Sequence, residues 1–270
     1  MNNTKEKGEL KDNCSSVEEL TEYLMRKAQN HNNYKYYSPL KRIVDNCKSN
    51  SLYLTTGEKW NDITDRTNFN SNLNGATNFG KCFSFSRDES VAMWMLYGGI
   101  DKLGGMIDFT KKGMQSILRT DKVELGYFEE QTQSFKCLKT IDKSKFKIFL
   151  IDIVYYKKNG KYYYISRYDE KFATLSEQVF AKLNFCKKVN AWKYENECRL
   201  IVSVNTDELL NKCNVARIDL SNLDLGKSLE RLYHAPNYPK QKNTYGSKES
   251  ELGESLDWSI CEKCKKPSDS

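Results

Sequence analysis

The segment Trp192-Lys193-Tyr194-Glu195-Asn196-Glu197-Cys198-Arg199 gathers the side chains best suited to chemistry. It runs straight into the apolar stretch Leu200-Ile201-Val202-Ser203-Val204, which reads as a buried strand. Alternate residues of a strand share a face, so Glu195, Glu197 and Arg199 fall on one side if the extended form begins early enough. Two carboxylates this close are costly unless a cation, a metal or a cationic substrate meets them. One reading is a surface strand start in which Arg199 pairs one glutamate and contributes little. The other is a working pair, with Glu197 stabilising positive charge and Glu195 moving a proton.

Such a strand needs partners, and the rest of the chain supplies them. Ser16-Val17-Glu18-Glu19 is a capping box, opening a helix with Val17, Leu20, Leu24 and Ala28 on one face. Tyr34–Tyr37 is a short aromatic strand. Ser38 then caps a helix over 40–47, with Pro39 at its first position. Leu52–Thr56 is a second strand. Trp60-Asn61-Asp62 and the Asn/Gly-rich residues 68–80 form a long loop, where binding residues often sit. Lys81–Ser86 is a third strand, whose alternation puts Ser84 and Ser86 on one face and Phe83 and Phe85 on the other. A helix over 88–97 carries Trp94 and ends near Tyr97, before Gly98-Gly99.

Further along, 105–109 reads as a strand, and 112–145 has no clear pattern beyond a helix near Met114–Leu118. Phe146–Tyr156 is one long strand, joined through 157–161 to a hairpin partner at 162–166. Residues 169–184 read as helix, 206–212 as a second helix, and 197–204, 214–220 and 229–234 as strands. Strands without regular βαβ alternation imply the α+β class.

The chain has 270 residues, only 4 prolines and no low-complexity linker, which implies a single domain over 14–236. Residues 1–13 read as disordered, and 237–270 as a polar, partly mobile tail. No run of about 18 apolar residues occurs, so no membrane partner is expected. The N-terminal residues do not resemble a signal peptide, which points to the cytoplasm. The 9 cysteines are odd in number and irregularly spaced, as reduced thiols would be. A net charge of +7 permits an acidic macromolecular partner, nucleic acid or protein, without selecting one. Basic knots such as Lys187-Lys188 read as solvated surface. Cys261 and Cys264 have the spacing of half a zinc site, but no second pair completes it, so no metal is expected. No phosphate-cradling Gly-Lys loop or dinucleotide fingerprint is present. His31 and His234 are the only histidines, too few to favour a histidine-dependent hydrolase.

Three blocks recur in a familiar order: Tyr34-Lys35-Tyr36-Tyr37-Ser38 with Trp60-Asn61-Asp62 behind it, Cys82-Phe83-Ser84-Phe85-Ser86 with Trp94 and Tyr97 behind it, and Trp192–Arg199. Over residues 34 to 235 they resemble the bacterial domain-of-unknown-function family 2971. More distantly, the order of basic strand, serine strand and E-x-E strand is similar to the ADP-ribosyltransferase fold. That resemblance implies two packed, mainly antiparallel β-sheets forming a cleft for NAD, with peripheral helices. NAD would be the substrate. Lys35 stands where the family has a basic residue that holds NAD phosphate or ribose, usually Arg or His. Ser84 and Ser86 stand in the serine block that shapes the nicotinamide pocket. Glu197 stands at the glutamate that stabilises the oxocarbenium-like transition state, with Glu195 beside it to activate an acceptor or water. Tyr36, Trp94 or Tyr97 would stack on a flat ring, and Trp60, Asn61 and Asp62 would form a substrate loop. The implied activity is that of a toxin or antiphage effector modifying a macromolecule or hydrolysing NAD, with an antitoxin or regulator as partner. Two alternatives stay open. One is a non-catalytic module that senses a nucleotide or a phage component. The other is a metal-dependent nuclease using Asp62, Asp65, Glu195 and Glu197.

Overall fold

Residues 16–58, 60, 62–70, 75–86, 90–99, 104–167, 170–183, 185–205, 212–221 and 229–234 are described by a computed structural model. The two terminal segments, Asn61, residues 206–211 and the Cys261/Cys264 pair lie outside them. The first helix, α1 (Val17–Ala28), starts as the capping box requires, with the Ser16 hydroxyl accepting the Glu19 N–H at 3.1 Å. Its buried face is Val17, Leu20, Leu24 and Ala28. Strand β1 (Asn33–Pro39) leads into α2 (Leu40–Lys48) and β2 (Ser51–Thr55). Pro39, not Ser38, is the residue that caps α2, because β1 runs on to Pro39 and keeps Ser38 extended. The expected long loop is replaced by α3 (Ile63–Asn70) and by an early start of β3 (Ala76–Ser84). Phe69 of α3 lies so close to Gly80 of β3 that a Cβ there would stand 2.5 Å from its ring. The close approach explains the glycine and seats the helix on the sheet.

The chain continues through α4 (Val91–Met93), which widens into a π-helical turn Trp94–Gly99, then β4 (Gly104–Thr110), α5 (Lys111–Leu118), β5 (Lys122–Phe128) and β6 (Phe135–Asp142). The expected single strand over 146–156 is two: β7 (Phe146–Asp152) and β8 (Val154–Asn159), which belong to different sheets. At the crossing Asp152 is fully buried, taking His31 Nε2 at 2.7 Å on one oxygen and Arg167 Nε at 2.6 Å on the other. Next come β9 (Tyr162–Arg167), β10 (Glu170–Ser176), a short α6 (Glu177–Ala181), β11 (Lys187–Val189), a 3-10 turn Asn190–Glu195, β12 (Glu197–Asn205), β13 (Val215–Asp219) and β14 (Leu229–His234). The helix expected over 169–184 is thus mostly strand β10, with only α6 helical.

The architecture is α+β with mostly antiparallel sheets. A large curled sheet runs β14-β4-β1-β3-β2-β13-β5-β6, with β12 paired to β3 and β7. A small sheet runs β10-β9-β8-β11, in which β11 and β8 are parallel. One face of the large sheet buries Tyr34, Phe79, Phe83, Leu150, Leu200 and Val202. The opposite face meets α1, α3 and the small sheet over Leu20, Phe69, Ile151, Tyr155 and Ile201. No described helix is long and apolar enough to cross a membrane. The six described cysteines, Cys47, Cys82, Cys137, Cys186, Cys198 and Cys213, are free thiols.

Candidate functional site

The register of three strands sets Lys35, Ser84 and Glu197 in one lateral row. Lys35 of β1 pairs with Ser84 of β3, and Ser84 pairs across its other edge with Glu197 of β12. Directly paired residues project to the same face, so all three point toward the small sheet. Lys35 is 4% exposed, Ser84 1% and Glu197 2%.

Around Glu197 lies a buried cluster of charges drawn from four segments. Glu197 and Arg199 come from β12, Lys188 from β11, Glu195 from the 3-10 turn and Asp65 from α3. Arg199 Nε donates to Glu197 Oε1 at 2.5 Å, its Nη2 to Asp65 Oδ2 at 2.7 Å and its Nη1 to the Phe185 carbonyl at 3.1 Å. Lys188 Nζ donates to Glu195 Oε2 at 2.5 Å and Glu197 Oε2 at 3.0 Å, and lies 3.7 Å from Asp65 Oδ2. Tyr97 completes Glu195 by donating to Oε1 at 2.5 Å. The Tyr155 hydroxyl oxygen accepts the Glu197 N–H at 2.9 Å. Trp60 covers the Arg199 guanidinium at 4.8 Å, and Trp192 lies 5.0 Å from the Lys188 ammonium.

Two cations cannot neutralise three carboxylates, and burial makes the excess charge expensive. The proton balance answers this. Burial first, then the charge of Glu197, pushes Glu195 up to about 8. Burial would also raise Glu197, but the charges of Arg199 and Lys188 outweigh it and hold that carboxyl well below the usual range. Burial raises Asp65 despite Arg199. Glu195 thus keeps a proton at neutral pH while Glu197 stays ionised. Asp65 Oδ1 is buried with no hydrogen-bond partner among the described residues.

The remaining expected site residues divide. Tyr97 joins the cluster through Glu195. Ser86 lies past the end of β3, so it does not continue the alternation; its carbonyl accepts Lys35 Nζ at 2.6 Å and its N–H reaches Ser84 Oγ at 3.4 Å. Trp60 touches the cluster through Arg199. Asp62 instead caps α3, its Oδ1 accepting the N–H groups of Thr64 and Asp65 at 2.9 and 3.1 Å. Trp94 is in a separate small core, edge-on to Tyr37 at 5.0 Å beside Met93 and Met106. Tyr36 faces away from Lys35, because adjacent strand residues alternate, and packs against the opposite core. Glu195 precedes β12 and is separated from Glu197 by Asn196 in a left-handed conformation (φ 45°), so strand alternation does not bring the two together. Lys188 does, by binding both.

Sequence reasoning placed Lys188 on the surface and gave Arg199 the right face but only a weak pairing role. Lys188 read as a surface knot yet is 6% exposed, and Arg199 read as half of a weak pair yet is 0% exposed. For the metal reading, the Lys188 ammonium occupies the point where Asp65, Glu195 and Glu197 converge. No group of acids, histidines or cysteines suited to a metal occurs among the described residues.

The fold and site together define an α+β protein with a buried, proton-sharing charge cluster between two sheets. No family model, no curated protein and no solved structure matches the chain. The resemblances to family 2971 and to the ADP-ribosyltransferase fold gain no support from these comparisons.

Proposed function

We propose that this chain cleaves the bond between nicotinamide and ribose in NAD and passes the ADP-ribosyl group to a macromolecular acceptor or to water. The observation that carries the reading is the row Lys35–Ser84–Glu197 on three adjacent strands. A cation for phosphate, a hydroxyl for the ring amide and a carboxylate for developing positive charge stand side by side. When the C–N bond breaks, its electron pair leaves with nicotinamide and the ribose carbon becomes positive. Glu197, held ionised by two cations, is the fixed negative charge for that carbon. Glu195 takes the acceptor's proton, for which it must first lose its own, so turnover rises as pH passes through about 8. Asp65 Oδ1 offers a spare acceptor for a ribose hydroxyl. Glu197 is 2% exposed, so NAD reaches it only once the side chains around it part.

The test is nicotinamide release from NAD, followed with Glu197→Gln and Ser84→Ala. Glu197→Gln strips charge from a buried network, so thermal melting must accompany it. Ser84→Ala removes only a long hydrogen bond and leaves the fold intact. Release that both variants abolish supports the reading. Intact NAD over a panel of protein and nucleic-acid acceptors overturns it. A second reading, a module that binds a nucleotide without cleaving it, is favoured by the saturation of the row: both Glu197 oxygens are ion-paired, and Lys35 already donates to the Ser86 carbonyl. Saturable NAD binding without nicotinamide release selects that reading.

A further inference from the structure

The sheet forks at β3. Strand β12 lies along one edge from Ala76 to Ser84, while β1 touches the other edge only at Ser84 and β2 only at Gly80. Both β1 and β2 are antiparallel to β3, so they run parallel to each other and are joined through α2. Between their two contacts they diverge, leaving Lys81 on β3 without a neighbouring strand on that edge. Crevices where neighbouring strands part are common ligand sites.

Three polar side chains meet in the fork, on the sheet face opposite Glu197. The Lys81 ammonium lies 3.6 Å from the Tyr36 ring centroid and donates to the Tyr53 carbonyl at 3.1 Å. The Tyr36 hydroxyl donates to Ser38 Oγ at 3.1 Å. Lys81 is 8% exposed and Ser38 3% exposed, whereas Tyr36 remains half-buried. A lysine this deep ordinarily pairs with a carboxylate. Among the described residues its partners are a backbone carbonyl and the phenol, so its positive charge falls on Tyr36. Burial alone would raise the pKa of that phenol. The charge of Lys81, the hydrogen bonds with Ser38 and Lys81, and the charge of Arg42 on α2 together hold it below the ordinary tyrosine value.

We propose that Tyr36, Lys81 and Ser38 form an acid–base site in the fork, where Tyr36 gives its proton to the anionic oxygen of a bound alkoxide ligand. In that step the phenol O–H bond breaks, the new O–H bond forms on the ligand, and the electron pair stays on the phenolate. Lys81 holds the phenolate, and a proton returns to it from solvent. The site is independent of the NAD reading, since it is on the other face of β3 and shares no side chain with the charge cluster.

An aryl sulfonyl fluoride tests it in the intact protein. A phenolate oxygen attacks the sulfur and fluoride leaves, so labelling reports phenolate at each tyrosine, read by peptide mass spectrometry. Tyr162 and Tyr164 are exposed and serve as internal controls. At pH 8, Tyr36 is expected to label faster than both, because a lowered phenol carries more phenolate at that pH. Lys81→Met should remove the advantage and leave the controls unchanged. Because the reagent must reach a half-buried ring, absorbance titration of the phenols is run in parallel. One tyrosine titrating below its ordinary range, lost in Tyr36→Phe and moved upward in Lys81→Met, supports the site. Labelling no faster than the controls, together with a titration that neither variant alters, overturns it.

Discussion

The two faces of β3 handle buried positive charge in opposite ways. On one face Arg199 and Lys188 are matched against three carboxyl groups, and each of these two cations has a carboxylate partner. On the other face Lys81 has a carbonyl and an aromatic ring. The first arrangement drives one carboxyl far down and another far up, and closes over both. The second lowers its phenol and leaves it half-buried. Neutralisation by ion pairs gives rigidity and extreme acidities. Neutralisation by a polarisable neighbour leaves a group able to exchange its proton.

The sharpest way to break this contrast is to remove one cation from each face. Lys188→Met leaves Glu195 and Glu197 buried with one cation fewer, and the cost is expected at about 3–5 kcal/mol, the range for breaking a buried ion pair. Lys81→Met removes one donor to a carbonyl and a cation–ring contact, for which about 1–2 kcal/mol is expected. Urea unfolding of both variants at pH 7 makes the measurement. Equal losses would mean that the charge cluster is no more tightly coupled than the fork.

The next largest effect is in the pH dependence of stability. Glu195 is raised from 4.5 to about 8 on folding, so the folded state binds its proton more tightly than the unfolded state. Its contribution is complete below about pH 4.5 and is lost as pH rises through about 8. Across that window wild-type stability should fall by roughly 2–5 kcal/mol from this group. Glu195→Gln should flatten the fall, because an amide has no proton to lose. A slope that Glu195→Gln leaves unchanged between pH 5 and pH 8 would assign the proton to a different carboxyl.

The same contrast explains what the sequence disclosed. Glu197 and Arg199 were legible as same-face residues because β12 does begin at Glu197 and alternates from there. The grouping of Glu197 with Ser84 and Lys35 came only from the resemblance, since no pattern in the residues set the three strands side by side. Lys188 was not legible: β11 has three residues, and a strand that short has no period to read. Glu195 was placed correctly for the wrong reason, since a left-handed Asn196 breaks the alternation that pointed to it. The split of 146–156 into β7 and β8 had one signal, the charged Asp152 within an apolar run, and its meaning depended on His31 and Arg167 far away in sequence. The fork at β3 depends on register between strands separated by dozens of residues, so Tyr36 read as a ring for stacking rather than as a partner of Lys81.

The smallest expected effect sharpens the other half of the comparison. Ser38 accepts the Tyr36 proton donor at 3.1 Å and is itself buried, so Ser38→Ala removes one hydrogen bond without opening a cavity larger than an oxygen. The stability cost should be about 0.5–1.5 kcal/mol, the usual net value of one such bond. Loss of the hydroxyl should also move the Tyr36 titration upward, but by less than Lys81→Met does, because the charge of Lys81 exerts the larger pull. Absorbance titration of wild type, Ser38→Ala and Lys81→Met gives the order directly. If Ser38→Ala shifts the phenol as far as Lys81→Met, the hydrogen bond and not the ammonium governs Tyr36, and the two faces of β3 differ only in how many charges they bury.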